Sequence, residues 1–348
     1  MECGIQPRWK IPEYTKKEIN NAGNIIRNEN ASEEDKARAK VIIDNWRAAH
    51  AYPLHVFYIN LRRKAGTYPD IIVAERLKRL DSIIDKLKRE PRMELYRMQD
   101  LGGCRMILPT LEDVYKFSNE LKNSKIRHEA KNTKDYIMKP KVSGYRSLHC
   151  VYKFQTDSKE KEIYNTYPML IEIQFRTHLQ HIWATAVESI GLFTNQALKS
   201  GRGDEDIKRF FVLVSSLFAI REGTPQVPNA LDKEEVLLAE IKELDKKRHL
   251  LEMLRAIRLV VEDGSKSENK GYFILKLDYS THRLSTLHFK PSEFERASVF
   301  YDTIENAKRE KEDIVLVRAS SFTMVKEAYP NYFLDIGEFV DIVSGYLR

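Results

Sequence analysis

Three cysteines in 348 residues, Cys3, Cys104 and Cys150, are too few, too far apart and the wrong number for a disulfide framework. No Cys-x-x-Cys pair occurs, so a cysteine zinc site is unsupported as well. Long apolar runs are also missing. None approaches membrane-spanning length, and Met1 to Lys10 lack the apolar core of a signal peptide, so the expectation is a cytoplasmic protein that does not enter a membrane. Glycine and proline are sparse, at 14 and 12, and hydrophobic content is an ordinary 42%, which argues against a large disordered region. The length suits about two domains, and no internal repeat is visible. Acidic residues are outnumbered: 58 Lys and Arg against 51 Asp and Glu leave a net charge of +7 spread along the chain. That balance favours an anionic partner such as a nucleotide or RNA.

What is present is organised around Lys134 to His149. Pro140 and Gly144 keep this stretch from being helical, so it reads as a loop feeding a strand. Lys134, Lys139, Lys141 and Arg146 supply cations, Tyr145 a flat ring, and Ser147 and His149 short donors. A base stacked on the ring with its phosphates held by lysines is one use of such a set, and a solvated surface loop is the other.

Upstream, residues 14 to 50 and then Leu54 to Ala65 read as helices, with Trp46 as core. Ala74 to Arg89 reads as a further helix, with Leu77, Leu80, Ile84 and Leu87 facing inward. Lys78, Ser82 and Lys86 then fall in one line beside Arg76 and Arg79, either as a solvated face or as a track for a polyphosphate. Gly102 and Gly103 stop helical structure, and Cys104 to Leu108 is a short strand with Asp100 just before it, at a turn or at the lip of a cleft.

Downstream, Leu148 to Phe154 and Tyr167 to Arg176 alternate as strands, and Glu172, Gln174 and Arg176 form a polar row that could meet His149 across one sheet. His178 to Phe193 is a helix whose two histidines, His178 and His181, have no further ligands near them to hold a metal. More helix follows from Asp204 to Ala219 and in a long charged stretch from Lys233 to Val261. Residues 262 to 270 have the composition of a linker. Beyond it, a hairpin (Tyr272 to Tyr279 with Leu284 to Phe289), a helix from Ser292 with Glu295 as a capping box, a strand from Ile314 to Ala319 and two short helices make a ββαβαα unit.

In their order these pieces resemble the RelA/SpoT-type alarmone synthetase domain. The matching elements are Arg76-x-Lys78-x-x-x-Ser82-Ile-x-x-Lys86, Asp100-Leu-x-Gly-Cys-Arg105, Lys134-Asp-Tyr-Ile with Pro140-Lys141-x-x-Gly144-Tyr145-x-Ser147-Leu-His149, and Ile171-Glu172-Ile-Gln174-Phe-Arg176-Thr followed by Trp183-Ala-Thr. They span roughly residues 70 to 190. The resemblance implies an α/β (α+β) fold, a mixed-sheet, nucleotidyltransferase-like synthetase with flanking helices. It further implies a pyrophosphokinase that moves the β,γ-pyrophosphate of ATP onto a ribose 3′-hydroxyl. Carried over by position, Arg76 and Arg105 would sandwich the adenine, and Lys78, Ser82 and Lys86 would hold the triphosphate. Asp100 and Glu172 would bind Mg²⁺, with Glu172 also taking the proton of the attacking hydroxyl. Tyr145 would stack the acceptor base, with Lys134, Lys141, His149 and Gln174 around its phosphates or ribose. Where many members carry Glu-His this chain has Glu188-Ser189, so Glu188 is assigned no role. No His-Asp dipeptide occurs, so the hydrolase domain of the long enzymes is not expected.

The division expected is therefore 1–261 for the synthetase with its N-terminal helices, 262–270 for a linker and 271–348 for a regulatory unit. That unit carries Tyr329-Pro-Asn-Tyr332, whose rings either pack on their own unit or face the synthetase, where they could fill the slot between Arg76 and Arg105. A synthetase, a linker and a ββαβαα unit with Tyr-x-x-Tyr resemble fused toxin–antitoxin synthetases of the CapRel type, whose C-terminal part is a pseudo-zinc-finger without zinc. This second resemblance implies anti-phage defence: a toxin inhibited in cis, released by a phage protein such as the major capsid protein, that pyrophosphorylates the 3′-CCA end of tRNA to stop translation. Two alternatives stay open. One is an alarmone synthetase making (p)ppGpp or (p)ppApp from free nucleotides; the other is a catalytically dead sensor, against which the intact Asp100, Glu172 and arginine pair argue.

Overall fold

The computed structural model describes residues 9–348 apart from 67, 69, 125, 198–202, 257–260, 265, 279, 282, 308–311, 330–331 and 334–335. The described residues begin with three helices, α1 (Lys16–Arg27), α2 (Glu33–Ala49) and α3 (Ala51–Ala65). Thr15 starts α1 with a reciprocal capping box to Glu18, and the Ser32 hydroxyl accepts the Asp35 N–H to start α2. There follow β1 (Ile72–Leu77), α4 (Leu80–Arg89), β2 (Gly102–Leu108), α5 (Leu111–Asn123), β3 (Glu129–Asp135), β4 (Leu148–Lys153) and β5 (Leu170–Thr177). Four helices come next: α6 (His178–Ala197), α7 (Gly203–Arg221), α8 (Glu234–Arg248) and α9 (Leu250–Ala256). The chain ends with β6 (Val261–Gly264), β7 (Gly271–Asp278), β8 (Arg283–Phe289), α10 (Phe294–Asn306), β9 (Glu312–Ala319), α11 (Phe322–Ala328) and α12 (Gly337–Tyr346). Among the described residues no helix is long and apolar enough to cross a membrane.

Among the described residues nine strands form one mixed sheet in the order β3-β4-β5-β2-β1-β9-β7-β8-β6. Most neighbours run antiparallel; β2 with β5, and β6 with β8, run parallel. The register aligns the polar positions. Arg105, Gln174, His149 and Lys134 lie in one row across β2, β5, β4 and β3, and Arg76, Gly103 and Glu172 in a parallel row across β1, β2 and β5. Because side chains alternate along a strand, both rows fall on one face. The intervening Cys104, Met106, Ile171, Ile173 and Phe175 are buried on the other face, in a core with Ile43, Trp46, Phe57 and Leu61 of the N-terminal helices.

Four sequence expectations change here. Residues 74 to 89 are not one helix: the stretch begins as β1, laddered between β2 and β9, and becomes helical only at Leu80. Leucine spacing fits a helix there, but the main-chain ladder on both sides of residues 75 and 76 decides the strand. The stretch from 233 to 261 breaks at His249, which takes left-handed φ and ψ of 52° and 41° as a C-cap. The expected linker begins in β6, paired to β8. The helix expected from Ser292 starts at Phe294 after a turn, and it is Glu293 whose carboxylate accepts the Lys290 N–H, at 2.8 Å.

The ββαβαα order of the last third stands as the pattern reads, but the unit does not stand apart. Strand β9 joins β1 through the pairs Glu75–Arg318 and Arg76–Val317. Phe273, Val315, Val317, Phe322, Tyr329, Tyr332 and Phe339 share one core with Trp183, Phe211 and Phe218 of α6 and α7. Buried polar contacts line the seam. Arg47, 2% exposed, donates to Lys78 O at 2.8 Å and to the Tyr301 hydroxyl at 2.7 Å, and pairs with Asp44 at 2.8 Å and Glu305 at 3.3 Å. Arg79 pairs with Asp313, and Arg318 contacts His55 and donates to the Tyr272 hydroxyl at 3.1 Å.

Candidate active site

Two half-sites meet on the polar face of the sheet. The first is built at the start of β2. The Leu101 carbonyl accepts the Lys78 N–H at 2.8 Å, which sets the end of β1 beside Asp100. Lys78 Nζ and Lys86 Nζ then each lie 3.0 Å from one Asp100 oxygen. The lysines and the aspartate thus converge although Lys78 precedes α4 and Lys86 lies within it; Ser82, on the first turn between them, is half-buried. Burial opposes the charge on Asp100, but the two ammonium groups outweigh it and hold the carboxyl below its ordinary value.

Arg76 and Arg105 stand across a gap at Gly103, which has no side chain to fill it. The ring of Tyr329 lies beside both, its centroid 6.0 Å from the Arg76 guanidinium carbon and 5.4 Å from that of Arg105. Arg105 Nη1 also donates to Ala328 O at 2.8 Å, capping the last turn of α11. Burial and the neighbouring Arg176 lower the Arg105 pKa to about 10, so it remains a cation. Tyr332 is wholly buried one turn further on, its N–H bonded to Tyr329 O at 3.0 Å, so the two tyrosines do different things. His181 Nε2 meets Glu327 O at 2.9 Å and fixes the same turn, while His178 pairs with Glu338 at 2.7 Å. The cavity bounded by Arg76, Lys78, Asp100, Arg105, Glu172 and Tyr329 holds about 70 Å³. Ligand pockets are usually roughly 300–1,000 Å³, well above this volume.

The second half-site is a hydrogen-bonded chain. Glu172 Oε1 meets His149 Nδ1 at 2.9 Å, and Glu172 Oε2 accepts from Gln174 Nε2 at 2.7 Å. His149 Nε2 meets the Tyr145 hydroxyl at 2.7 Å, and Arg176 Nη2 donates to that hydroxyl at 2.8 Å and to Gln174 Oε1 at 3.2 Å. Burial disfavours both charges of the Glu172–His149 pair, yet their mutual contact lowers the Glu172 pKa and raises that of His149. Burial alone would raise the Tyr145 phenol; Arg176 and His149 bring it down to about 8. The Arg176 guanidinium carbon is 5.3 Å from the Tyr145 ring centroid, and Lys141 Nζ is 5.2 Å from it and 4.4 Å from that of Tyr136. Lys134 is exposed at the end of the row, opposite His149.

Sequence reasoning left Arg176 and Tyr136 out of the candidate set. The Glu172–Gln174–Arg176 alternation carried the signal for the first, since every second residue of a strand shares a face. Among the described residues no group of three or more His, Cys, Asp and Glu could hold a metal, so a cation here would rest on Asp100 and Glu172 together with substrate oxygens. That donor set suits a magnesium-like ion, which takes one or two carboxylates plus phosphates. Both carboxyls are held ionised and border one cavity, as this use requires.

Residues 75–195 match the region found in RelA/SpoT proteins. The chain is 35% identical over 126 residues to GTP pyrophosphokinase YjbM of Bacillus subtilis (strain 168), and the match covers 35% of this chain and 56% of that protein. A second relative, GTP pyrophosphokinase YwaC of the same organism, is 30% identical over 135 residues, covering 37% of this chain and 62% of the relative. The chain thus spans less than two thirds of either relative. Among solved structures, small alarmone synthetase 1 from Bacillus subtilis is similar at 23% identity and a TM-score of 0.40, covering 60% of this chain and 97% of that one. A GTP pyrophosphokinase family protein from Streptococcus pneumoniae is similar at 21% identity and a TM-score of 0.41, covering 61% and 96%. Residues 75–195, which run from β1 into α6 and carry the charged side chains of both half-sites, are thus the part of the chain that is similar to the region found in RelA/SpoT proteins.

Proposed function

We propose that the protein is an ATP-dependent pyrophosphokinase whose ATP site is closed by its own C-terminal unit, residues 271–348. The observation that carries this is Tyr329, a flat ring set against two arginines where a flat purine would bind. With Tyr329 withdrawn, adenine takes its place between Arg76 and Arg105, and Lys78, Ser82 and Lys86 turn to the triphosphate. Asp100 and Glu172 hold Mg²⁺, which neutralises phosphate charge when bound. The acceptor base stacks on Tyr145, with Lys134, Lys141, His149 and Gln174 about its ribose and phosphates. The acceptor 3′-oxygen bonds to the β-phosphorus as the bond from that phosphorus to the α,β-bridging oxygen breaks, AMP leaves, and Glu172 takes the hydroxyl proton. Alignment and charge neutralisation carry such a transfer.

The acceptor we propose is the 3′-CCA end of tRNA. Modification there would stop translation, which gives a reason for a built-in inhibitor and fits a fused toxin–antitoxin in anti-phage defence. Release would come from a phage protein, such as a major capsid protein, binding the C-terminal unit in the cytoplasm. A second reading, synthesis of (p)ppGpp-type alarmones from free GDP or GTP, is favoured by the names of the relatives. The test is label transfer from γ-labelled ATP with Mg²⁺, using the Tyr329→Ala/Tyr332→Ala protein with deacylated tRNA, GDP and GTP offered separately. Label on tRNA that disappears when its 3′ end is trimmed supports the first reading; label on guanine nucleotide alone replaces it with the second. A folded double variant that labels none of the three overturns both.

A further inference from the structure

Tyr145 stands in the loop 136–147, and the residues on either side of it are held from outside the RelA/SpoT region. Gly144 has a φ of 89°, and a Cβ there would stand 2.7 Å from Trp183 Cζ2. The backbone therefore lies against the indole in a conformation that favours glycine. The Gly144 carbonyl accepts from Ser215 Oγ of α7 at 2.6 Å. On the other side of Tyr145, Arg146 is 2% exposed and its Nη2 lies 2.8 Å from Glu222 Oε2, with a second contact to Thr224 Oγ1. The Glu222 carboxylate also accepts from Thr177 Oγ1 and, at 3.0 Å, from Gln180 Nε2, so one acid ties the loop to the end of β5 and the start of α6. Helix α7 is itself backed by α12, where Phe211 stacks on Phe339 at 5.6 Å.

We propose that Glu222 is a positioning residue for the acceptor subsite: through Arg146, and with Ser215 holding Gly144, it fixes the main chain on both sides of Tyr145 and so aims the ring. The inference deepens the pyrophosphokinase reading and rests on it for its catalytic consequence. Losing a buried charge partner frees Arg146 to seek water, and a loop displaced by a fraction of an ångström loses alignment with the donor.

The test has two arms on the full chain. Hydrogen exchange compares the parent with Glu222→Gln and with the milder Ser215→Ala. Faster exchange across 136–147, with 72–108 unchanged, is expected in both; protected loop amides in a folded Glu222→Gln protein overturn the proposal. If Glu222→Gln does not fold, Ser215→Ala decides by the same comparison. In the Tyr329→Ala/Tyr332→Ala background, Glu222→Gln should raise the acceptor KM about tenfold while leaving the ATP KM within about twofold. Parallel changes in both constants, or none, overturn it as well. Should the Tyr329→Ala/Tyr332→Ala protein itself transfer label to no acceptor, the reaction reading has failed and the exchange arm alone decides the role of Glu222.

Discussion

Replacing Tyr329 with alanine should open the donor site. The side chain is 2% exposed and its ring touches two guanidinium groups. Truncating a buried aromatic ring costs about 3–5 kcal/mol, and each cation–π contact adds roughly 0.5–1 kcal/mol. Part of that total weighs on the shared core in either state. Taking about 3 kcal/mol as specific to the closed arrangement, the ratio of open to closed molecules rises about a hundredfold, since every ~1.4 kcal/mol is tenfold. Apparent affinity for ATP scales with the open fraction, so it should strengthen by up to about two orders of magnitude. Titration with a fluorescent ATP analogue in Mg²⁺ buffer reads this directly, and Tyr329→Phe, which keeps the ring, should stay within about threefold of the parent. A folded Tyr329→Ala protein that binds the analogue no better than the parent would refute the assignment of that ring to the adenine slot.

The Glu172–His149 pair should leave a pH signature. The Glu172 pKa is lowered from 4.5, so its contribution is present above that value and is lost as pH falls through the depressed one. That of His149 is raised from 6.5, so its contribution is full below 6.5 and is lost as pH rises through the raised value. The melting-temperature gap between the parent and Glu172→Gln should therefore be widest between those two ordinary values and narrow toward alkaline pH; a gap that widens there would contradict the pairing. Tyr145, brought down to about 8, should ionise ahead of the other tyrosines in ultraviolet titration, and Tyr145→Phe should remove that early step. Arg47→Ala should cost about 3–5 kcal/mol in denaturant unfolding, because it leaves Glu305 without its guanidinium partner in a buried seam.

Much of the candidate site was legible because period-two alternation survives without tertiary knowledge. Glu172, Gln174 and Arg176 announce a polar strand face, and two glycines after Asp100 announce a chain turning into a strand. Lys78 and Lys86 converge on Asp100, which was read apart from them, and they do so by another route. The pair was read along one helix, whereas Lys78 reaches Asp100 from just beyond β1, a strand hidden by leucines that happen to fall at helical spacing. Why Tyr329 rather than Tyr332 lies against the arginines could not be read from Tyr-x-x-Tyr, since the choice depends on where α11 ends. Nor did any local signal reveal that β9 would ladder onto β1. Strand pairing across more than two hundred residues leaves no mark on either strand alone, and the polar stretch before β7 argued for separation.

That ladder has a cost that falls on any opened state. As folded, the sheet has two margins, β3 and β6. Parting β1 from β9 would create two more, where main-chain donors and acceptors about the Glu75–Arg318 and Arg76–Val317 pairs would lose their partners and face water. Bare margins of this kind recruit other strands, including those of a second copy. An active molecule would therefore be more adhesive than a silent one. Concentration should shorten its working life, and whatever draws the C-terminal unit away would act most cleanly by covering the margin it exposes.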